Sequence, residues 1–408
     1  TVKNRLFHRT RLVIPGFSSW AVGSLTVSNC SFQVADSAFT LTVTNSMTIA
    51  KNGILRVWMT DRSSMVYVGG TVLLTNNSSL HIYSGVTNGA GPNYGGLLGI
   101  TNDLVIGPGS WLYPYANSTN GGTVLCRLRH LSIASGGGIN AFGLGFSPGA
   151  GPGAARPGGW SAGAGYGGVG GSAGDKSGPA YGSVSDPVQP GSGSTQGNVS
   201  TYTRGGGSVR VNATGTVTVN GTIVADGGSG YGHDGGGSGG AVRIQCGTFA
   251  GTSTGLIRVN GGSSISLGGG GGGGRIAVSY ATLAGSTAVR FQASPGVGIT
   301  DNGVPTYIAT NDVPQYRPQM GTLWLSDTGL LSNVLTDWRF KDVRIIVPNF
   351  TSWILDSLTI NNCSLALGER YGLTLTVSGD LNIGAGGALS LGFEGQSSNV
   401  TLNVGDDV

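Results

Sequence analysis

The sequence is poor in charged residues. Only 10% of its 408 residues are Asp, Glu, Lys or Arg, against roughly a quarter in ordinary globular domains. The formal net charge of +4 is small, and its two basic clusters, near 3–11 and 339–344, accompany no groove-reading motif, so no nucleic-acid partner is expected. This composition is untypical of a cytosolic enzyme and fits β-rich extracellular proteins.

Cysteine and long apolar runs are also scarce. The four cysteines, Cys30, Cys126, Cys246 and Cys363, are far apart and form no CxxC or mixed Cys/His spacing, so neither a metal nor another cofactor is expected. No run of 18 apolar residues occurs, which argues against a membrane-spanning helix. The chain opens with Thr1 and without a signal segment, and we interpret it as a piece of a longer secreted protein.

What the sequence does contain is a short apolar triplet, two apolar residues around a variable one, which occurs three times per repeat. In four successive repeats the triplets begin at Leu41, Met47 and Leu55; at Val66, Val72 and Leu80; at Leu98, Leu104 and Leu112; and at Leu125, Leu131 and Ile139. Because side chains alternate between the faces of a strand, the two apolar residues of each triplet share one face. Three short strands per repeat predict an all-β fold, a parallel β-helix or β-solenoid.

Glycine is abundant, with 78 residues. From 147 to 204 the triplets give way to Gly, Pro, Ser and Ala, which predicts either a flexible excursion or an extended polyproline-like layer, packed on its own solenoid or on a neighbour. Later coils begin at Val209, Val242 and Ile276, each after a glycine run. We expect these runs to pack where no side chain fits. No helical periodicity follows them, as a dinucleotide-binding loop would require.

A larger repeat encloses these features. The segment 11–20 returns as 344–353, an offset of 333 residues, and after one inserted residue the triplets of 41–67 return at an offset of 334. The sequence therefore predicts five parts: regular coils at 1–146, the Gly/Pro-rich insertion at 147–204, glycine-rich coils at 205–312, a joint at 313–337, and the start of a second copy at 338–408, equivalent to 5–74.

Candidate chemistry is confined to one glycine-rich loop. Asp226, His233 and Asp234 supply ionisable groups and Tyr231 an aromatic ring, the residue types of a carbohydrate site; alternatively, they are solvated residues on turns. The nonapeptide repeat of calcium-binding β-rolls is absent, so no metal is expected there. Arg210 and Arg243 occupy equivalent positions in consecutive coils, and we expect them to face solvent or the anion of a partner.

The glycine runs, short strands and Gly-Thr turns of 235–262 and 268–280 resemble the glycine-rich β-solenoid regions of large secreted bacterial surface proteins of the filamentous-haemagglutinin and autotransporter adhesin kind. The resemblance implies a β-solenoid used in adhesion, biofilm or surface structure, with no catalytic residues to carry over. This chain departs from that pattern in its long Gly/Pro-rich insertion and its 333-residue repeat.

Stacked coils leave open strand edges at both ends, and a head-to-tail contact that does not close produces a filament. We therefore expect a secreted, cell-surface structural or adhesive repeat protein, not an enzyme, that forms a rod or filament by end-to-end stacking. Its expected partners are further copies of itself and glycans of the cell surface or matrix. The alternative is a β-helix protein that binds or degrades polysaccharide.

Overall fold

The structure is a computed structural model. It describes residues 2–3, 16, 18–34, 39–59, 64–87, 95–155, 162–171, 177–194, 203–231, 234–264, 268–298, 317–332, 334–336, 338–347, 351–361, 364–367, 372–385, 387–391 and 400–405. Within these residues every regular element is a β-strand and all strand pairings between named strands are parallel. The predicted parallel β-solenoid is confirmed.

Each coil contributes one strand to each of three ladders, which run along the solenoid axis. Strands are numbered along the chain. The first ladder contains β2 (Ser19–Val22), β5 (Thr40–Val43), β8 (Met65–Val68), β11 (Gly96–Ile100), β14 (Val124–Leu128), β17 (Ser208–Ala213), β20 (Ala241–Ala250), β22 (Arg275–Leu283), β24 (Gly321–Leu325) and β27 (Val343–Ile346). The second contains β1 (Val2–Lys3), β3 (Leu25–Ser28), β6 (Met47–Ala50), β9 (Val72–Leu74), β12 (Asp103–Ile106), β15 (His130–Ile133), β18 (Thr216–Val219) and the ends of β20 and β22.

The third ladder is a separate nine-stranded sheet. It contains β4 (Ser31–Val34), β7 (Ile54–Trp58), β10 (Ser79–Tyr83), β13 (Trp111–Tyr115), β16 (Gly138–Asn140), β19 (Thr222–Val224), β21 (Leu256–Arg258), β23 (Arg290–Gln292) and β26 (Phe340–Lys341). Triplet positions stack directly on one another: Leu41 pairs with Val66 and Val66 with Leu98. All three are fully buried, and burying each such side chain contributes roughly 1.5–3 kcal/mol.

One predicted triplet position is wrong by a residue. Leu98 pairs with Cys126, not with Leu125, and the core contains Val124, Cys126 and Leu128. Leu125 lies on the outward face of β14, yet it is only 1% exposed. Because the outward Leu125 is covered as well as the inward Val124 and Cys126, apolar residues do not alternate at the start of this strand, and the sequence pattern gives no register there.

The strand pairings of the first copy recur in the second. The second-copy strands are β25 (Val334–Thr336), β28 (Ser352–Leu355), β29 (Leu358–Asn361), β30 (Ser364–Leu367), β31 (Leu373–Val377), β32 (Leu381–Ile383), β33 (Ala388–Leu391) and β34 (Val400–Val404). The series β1–β3–β6 returns as β25–β29–β32, β2–β5–β8 as β28–β31–β34, and β4–β7 as β30–β33. The sequence repeat is thus a repeat of structure in the described residues.

Candidate functional site

The glycine-rich segments all leave the solenoid at one corner, between a third-ladder strand and the first-ladder strand of the next coil. Outgoing segments 225–230, 259–264 and 293–298 are followed by returning segments 234–240, 268–274 and 317–321, and the described parts of 141–207 pack beside them. We call this assembly the glycine bundle. Its segments bond to one another through backbone amides and carbonyls, so the described parts of the insertion adopt the packed alternative of the two that the sequence left open.

The hydrogen bonds of the glycine bundle follow a period of three residues. Five consecutive amides donate to five carbonyls at 2.7–3.0 Å: Gly236 to Gly269, Gly237 to Gly228, Ser238 to Ser192, Gly239 to Gly272 and Gly240 to Ala225. The first and fourth go to a returning segment, the second and fifth to an outgoing segment, and the third to the insertion. Three residues per turn and bonding only to neighbours are features of a polyproline II-type helix.

Close backbone approach explains why the returning segments 235–240 and 268–274 are almost entirely glycine. A Cβ atom on Gly236 would lie 1.8 Å from the carbonyl oxygen of Gly262, and one on Gly239 would lie 2.1 Å from that of Val259. The one larger residue in this run, Ser238, is fully buried, and its hydroxyl accepts a 2.9 Å hydrogen bond from the amide of Ser192. The interior layer therefore tolerates a side chain only where it replaces a backbone partner.

Each outgoing segment has two positions, three residues apart, at which hydrogen bonds join successive coils. These positions are Asp226 and Ser229, Asn260 and Ser263, and Ser294 and Val297. Their polar groups accept amides of the next coil: Asn260 N to Asp226 Oδ1 (2.8 Å), Ser294 N to Asn260 Oδ1 (2.9 Å), Ser263 N to Ser229 Oγ (3.2 Å) and Val297 N to Ser263 Oγ (3.1 Å). Side chains thus bond the outward backbone amides of this layer.

The insertion packs on the wall of its own solenoid. Asp186 forms an ion pair with Arg243 on the outward face of β20, and the carbonyl of Tyr181 accepts a 2.8 Å hydrogen bond from Nε of Arg275 on β22. The Arg275 guanidinium also lies 5.5 Å from the ring centroid of Tyr166. These polar contacts fix 177–194 across the first ladder.

Arg210 departs from the expectation that it faces solvent or the anion of a partner. It is 4% exposed beneath the insertion, and its Nη1 donates to Thr123 Oγ1 at 3.1 Å. Burial, followed by the neighbouring Arg243, lowers the pKa of Arg210 to about 10, so it remains protonated at neutral pH. The acid that lies beside Arg210 and Arg243 is Asp186 of the same chain and not a group from a partner.

The predicted carbohydrate-site residues lie in different environments. Asp226 is buried, pairs with Nε of Arg258 at 2.7 Å, and has a pKa that burial raises despite that arginine. Asp234 is fully buried, whereas Tyr231 is 72% exposed at the tip of the outgoing segment. His233 lies outside the described residues. Asp226 therefore links adjacent coils. Asp226 and Asp234, the two predicted acids, do not meet at an open surface.

A column of stacked rings follows the outward face of the third ladder. Trp58 and Tyr83 stack with centroids 4.1 Å apart and planes 5° apart, and Tyr83 stacks on Tyr115 at 4.1 Å and 18°. Beside them His81 stacks on Tyr113 at 4.4 Å. A sugar ring stacks on the open face of an aromatic ring, and here the faces cover one another. The column therefore stabilises adjacent coils.

Sequence reasoning missed both Asp186 and this column. Asp186 is one of few acids in a nearly charge-free insertion, which was its only signal. The aromatic residues Trp58, Tyr83 and Tyr115 recur at the third-ladder offsets of 25 and 32 residues, and following that position along the repeats would have found them.

No protein-family model, no curated protein and no solved structure matches this chain. The fold and contacts of the chain itself therefore carry the functional argument. In the described part of the chain, no group of three or more His, Cys, Asp or Glu side chains is placed to hold a metal ion. Nor do the described residues include a helix with the length and apolarity of a membrane span.

Proposed function

We propose that this chain is a section of a non-catalytic structural and adhesive rod, located outside the cell and built by end-to-end stacking of β-solenoid units. The observation that carries the proposal is the seating of β27 on β24. Four residue pairs, from Gly321 with Val343 to Trp324 with Ile346, join the last first-ladder strand of one copy to the next copy. A hydrophobic core that continues from one unit to the next lets the solenoid lengthen with each added unit.

The last described coil supports the same proposal. Ile383 and Leu402 are 45% and 40% exposed, whereas their first-copy counterparts, Ile49 and Val68, are fully buried. In the first copy these residues pair with Leu74 and Ile100 of the following coils. A further coil, from a continuing chain or from another copy, would cover the same apolar surface in the second copy.

The alternative, a protein that binds or degrades polysaccharide, requires ionisable groups that converge on an open cleft. Asp226 and Asp234 are buried, and both faces of Tyr83, in the middle of the aromatic column, are covered by its neighbours. The exposed Tyr231 is the feature in its favour, and it suits adhesion by the tip of the glycine bundle as well as a carbohydrate site.

Particle length tests the rod. Residue 408 corresponds to 74, so appending 75–408 to this chain continues the repeat by one unit. The counterpart of β4 is β30, about nine and a third coils further on, and coils spaced by about 4.8 Å make one unit roughly 45 Å long. Negative-stain images and small-angle scattering should show the extended chain lengthened by this amount at constant width. Two bodies on a flexible joint, or a wider particle, would contradict the proposal.

A further inference from the structure

The second copy continues the solenoid one ladder out of phase with the first. In the first copy β4 and β7 belong to the third ladder. Their counterparts β30 and β33 instead stack on β27, which itself stacks on β24 of the first ladder. The counterparts of the third-ladder strands β4 and β7 therefore lie on the first ladder.

The cause is the number of coils in the unit. The coil that starts with β24 reaches the third ladder at β26, which pairs with β23, and β27 follows on the first ladder. Only then comes β28, the counterpart of β2, which belongs with β31 and β34 to a sheet separate from the first ladder. The unit therefore contains a whole number of coils plus one additional face.

Packing at the junction fixes this phase. Phe340 stacks on Phe291 with centroids 5.9 Å apart and planes 8° apart, and Nη2 of Arg339 donates to the carbonyl of Thr287 at 3.0 Å. At the corner Asp342 has a φ of 47°, and its Oδ2 accepts a 2.6 Å hydrogen bond from the hydroxyl of Ser294. The second copy is thus bonded to both the wall and the glycine bundle of the first.

We propose that tandem units display their glycine bundles on successive faces of the rod. The first bundle leaves between the third and first ladders, so the corresponding corner of the second copy lies between the first and second ladders. Each unit therefore rotates its bundle by roughly a third of a turn relative to the previous one, in addition to the gradual twist of the coil. Three units of roughly 45 Å return the bundle to its starting face after about 135 Å. Adhesive tips then surround the rod, although this arrangement depends on the proposed tandem rod.

Cross-linking tests the phase in the 408-residue chain. Trp324 and Ile346 are paired outward residues of β24 and β27, and paired Cα atoms at the spacing of adjacent strands suit a disulfide. The variant Trp324→Cys/Ile346→Cys should oxidise to an internal disulfide in most molecules. In-phase stacking would instead place β27 on the third ladder, the ladder of β23. Gln292 and Ile346 are outward residues of β23 and β27, which lie in different sheets, so Gln292→Cys/Ile346→Cys is the matched control and should remain reduced. Disulfide formation in the control and not in the first variant would overturn the inference.

Images of native-sequence chains with three appended units test the display itself and do not depend on the folding of any cysteine variant. Successive lateral protrusions should turn by about 120° per unit. A rod with all protrusions on one side would refute the proposed rotation of the bundles but not the proposed rod. The absence of a rod would refute the proposed function itself.

Discussion

Replacing Gly236 with alanine tests the physical basis of the glycine bundle. The new Cβ atom would lie 1.8 Å from the Gly262 oxygen and 2.8 Å from the Gly271 nitrogen, so the segments must separate by about 1.2 Å to reach a tolerable 3.0 Å in an interior that is close-packed. The amide of Gly236 donates to the carbonyl of Gly269, and its carbonyl accepts from the amide of Ala164. These two hydrogen bonds hold Gly236 to other segments and oppose its movement away from Gly262. Overpacking of about 1–3 kcal/mol and weakened hydrogen bonds of about 0.5–1.5 kcal/mol each give an expected loss of about 3 kcal/mol.

Hydrogen exchange is the suitable assay, because repeat architectures open locally and a single unfolding midpoint can miss the change. Amides in 234–240 and 259–264 should exchange faster in Gly236→Ala, while those of β5 and β8 keep their protection. Gly23→Ala is the matched control, since a Cβ atom there meets only Asn45 Nδ2 at 3.8 Å and should change stability by less than about 0.5 kcal/mol. Equal protection in the two variants would refute the close-packed bundle.

Two further predictions concern electrostatics. Asp186→Asn removes the acid opposite Arg243, so the insertion should lose about 1 kcal/mol of local stability at low salt and less at high salt. Hydrogen exchange of the amides in 177–194 measures this loss, with Asp186→Glu as the control. A loss that does not depend on salt would contradict the ion pair. Burial and Arg56 lower the pKa of His81 to about 4 from 6.5, so unfolding takes up a proton between these pH values and stability falls as the pH drops through that window. After a discount for the partial exposure of His81, the native chain should lose about 1–2 kcal/mol more than His81→Gln between pH 7 and pH 4 in denaturant titrations. Stability profiles of the two proteins that run parallel with pH would show that His81 is not responsible.

The sequence predicted the walls of the solenoid because each wall strand has one buried and one exposed face. Leu41, Val66 and Leu98 stack as their spacing indicated, since a period of two is visible wherever water covers the outer face. The prediction failed at Leu125, where the outer face is covered too. Burial of Leu125 removed the contrast between the two faces on which the prediction depended.

The glycine bundle and its attachment could be predicted only in outline. Glycine runs have no alternation of apolar and polar side chains. The sequence therefore does not show which three segments pack around each run. The pairing of Asp186 with Arg243 joins a loop to a wall strand without any local signal. The phase of the second copy was equally hidden, because the 333-residue offset gives the length of the unit and not the face on which the next unit begins.

The position of glycine within a bundle nevertheless follows a rule that can be read from the sequence. The returning segments 234–240 and 268–274 have neighbours on three sides and consist mostly of glycine, whereas each outgoing segment has two positions, three residues apart, at which hydrogen bonds to side chains join successive coils. Those side chains accept the amides that would otherwise be available to another glycine segment. Unpaired backbone groups invite the addition of another chain, and in the outgoing layer these amides are already bonded to side chains of the preceding coil. The proposed rod requires growth along the axis and not from the side of the bundle, and the side-chain bonding of the outgoing layer is consistent with that requirement.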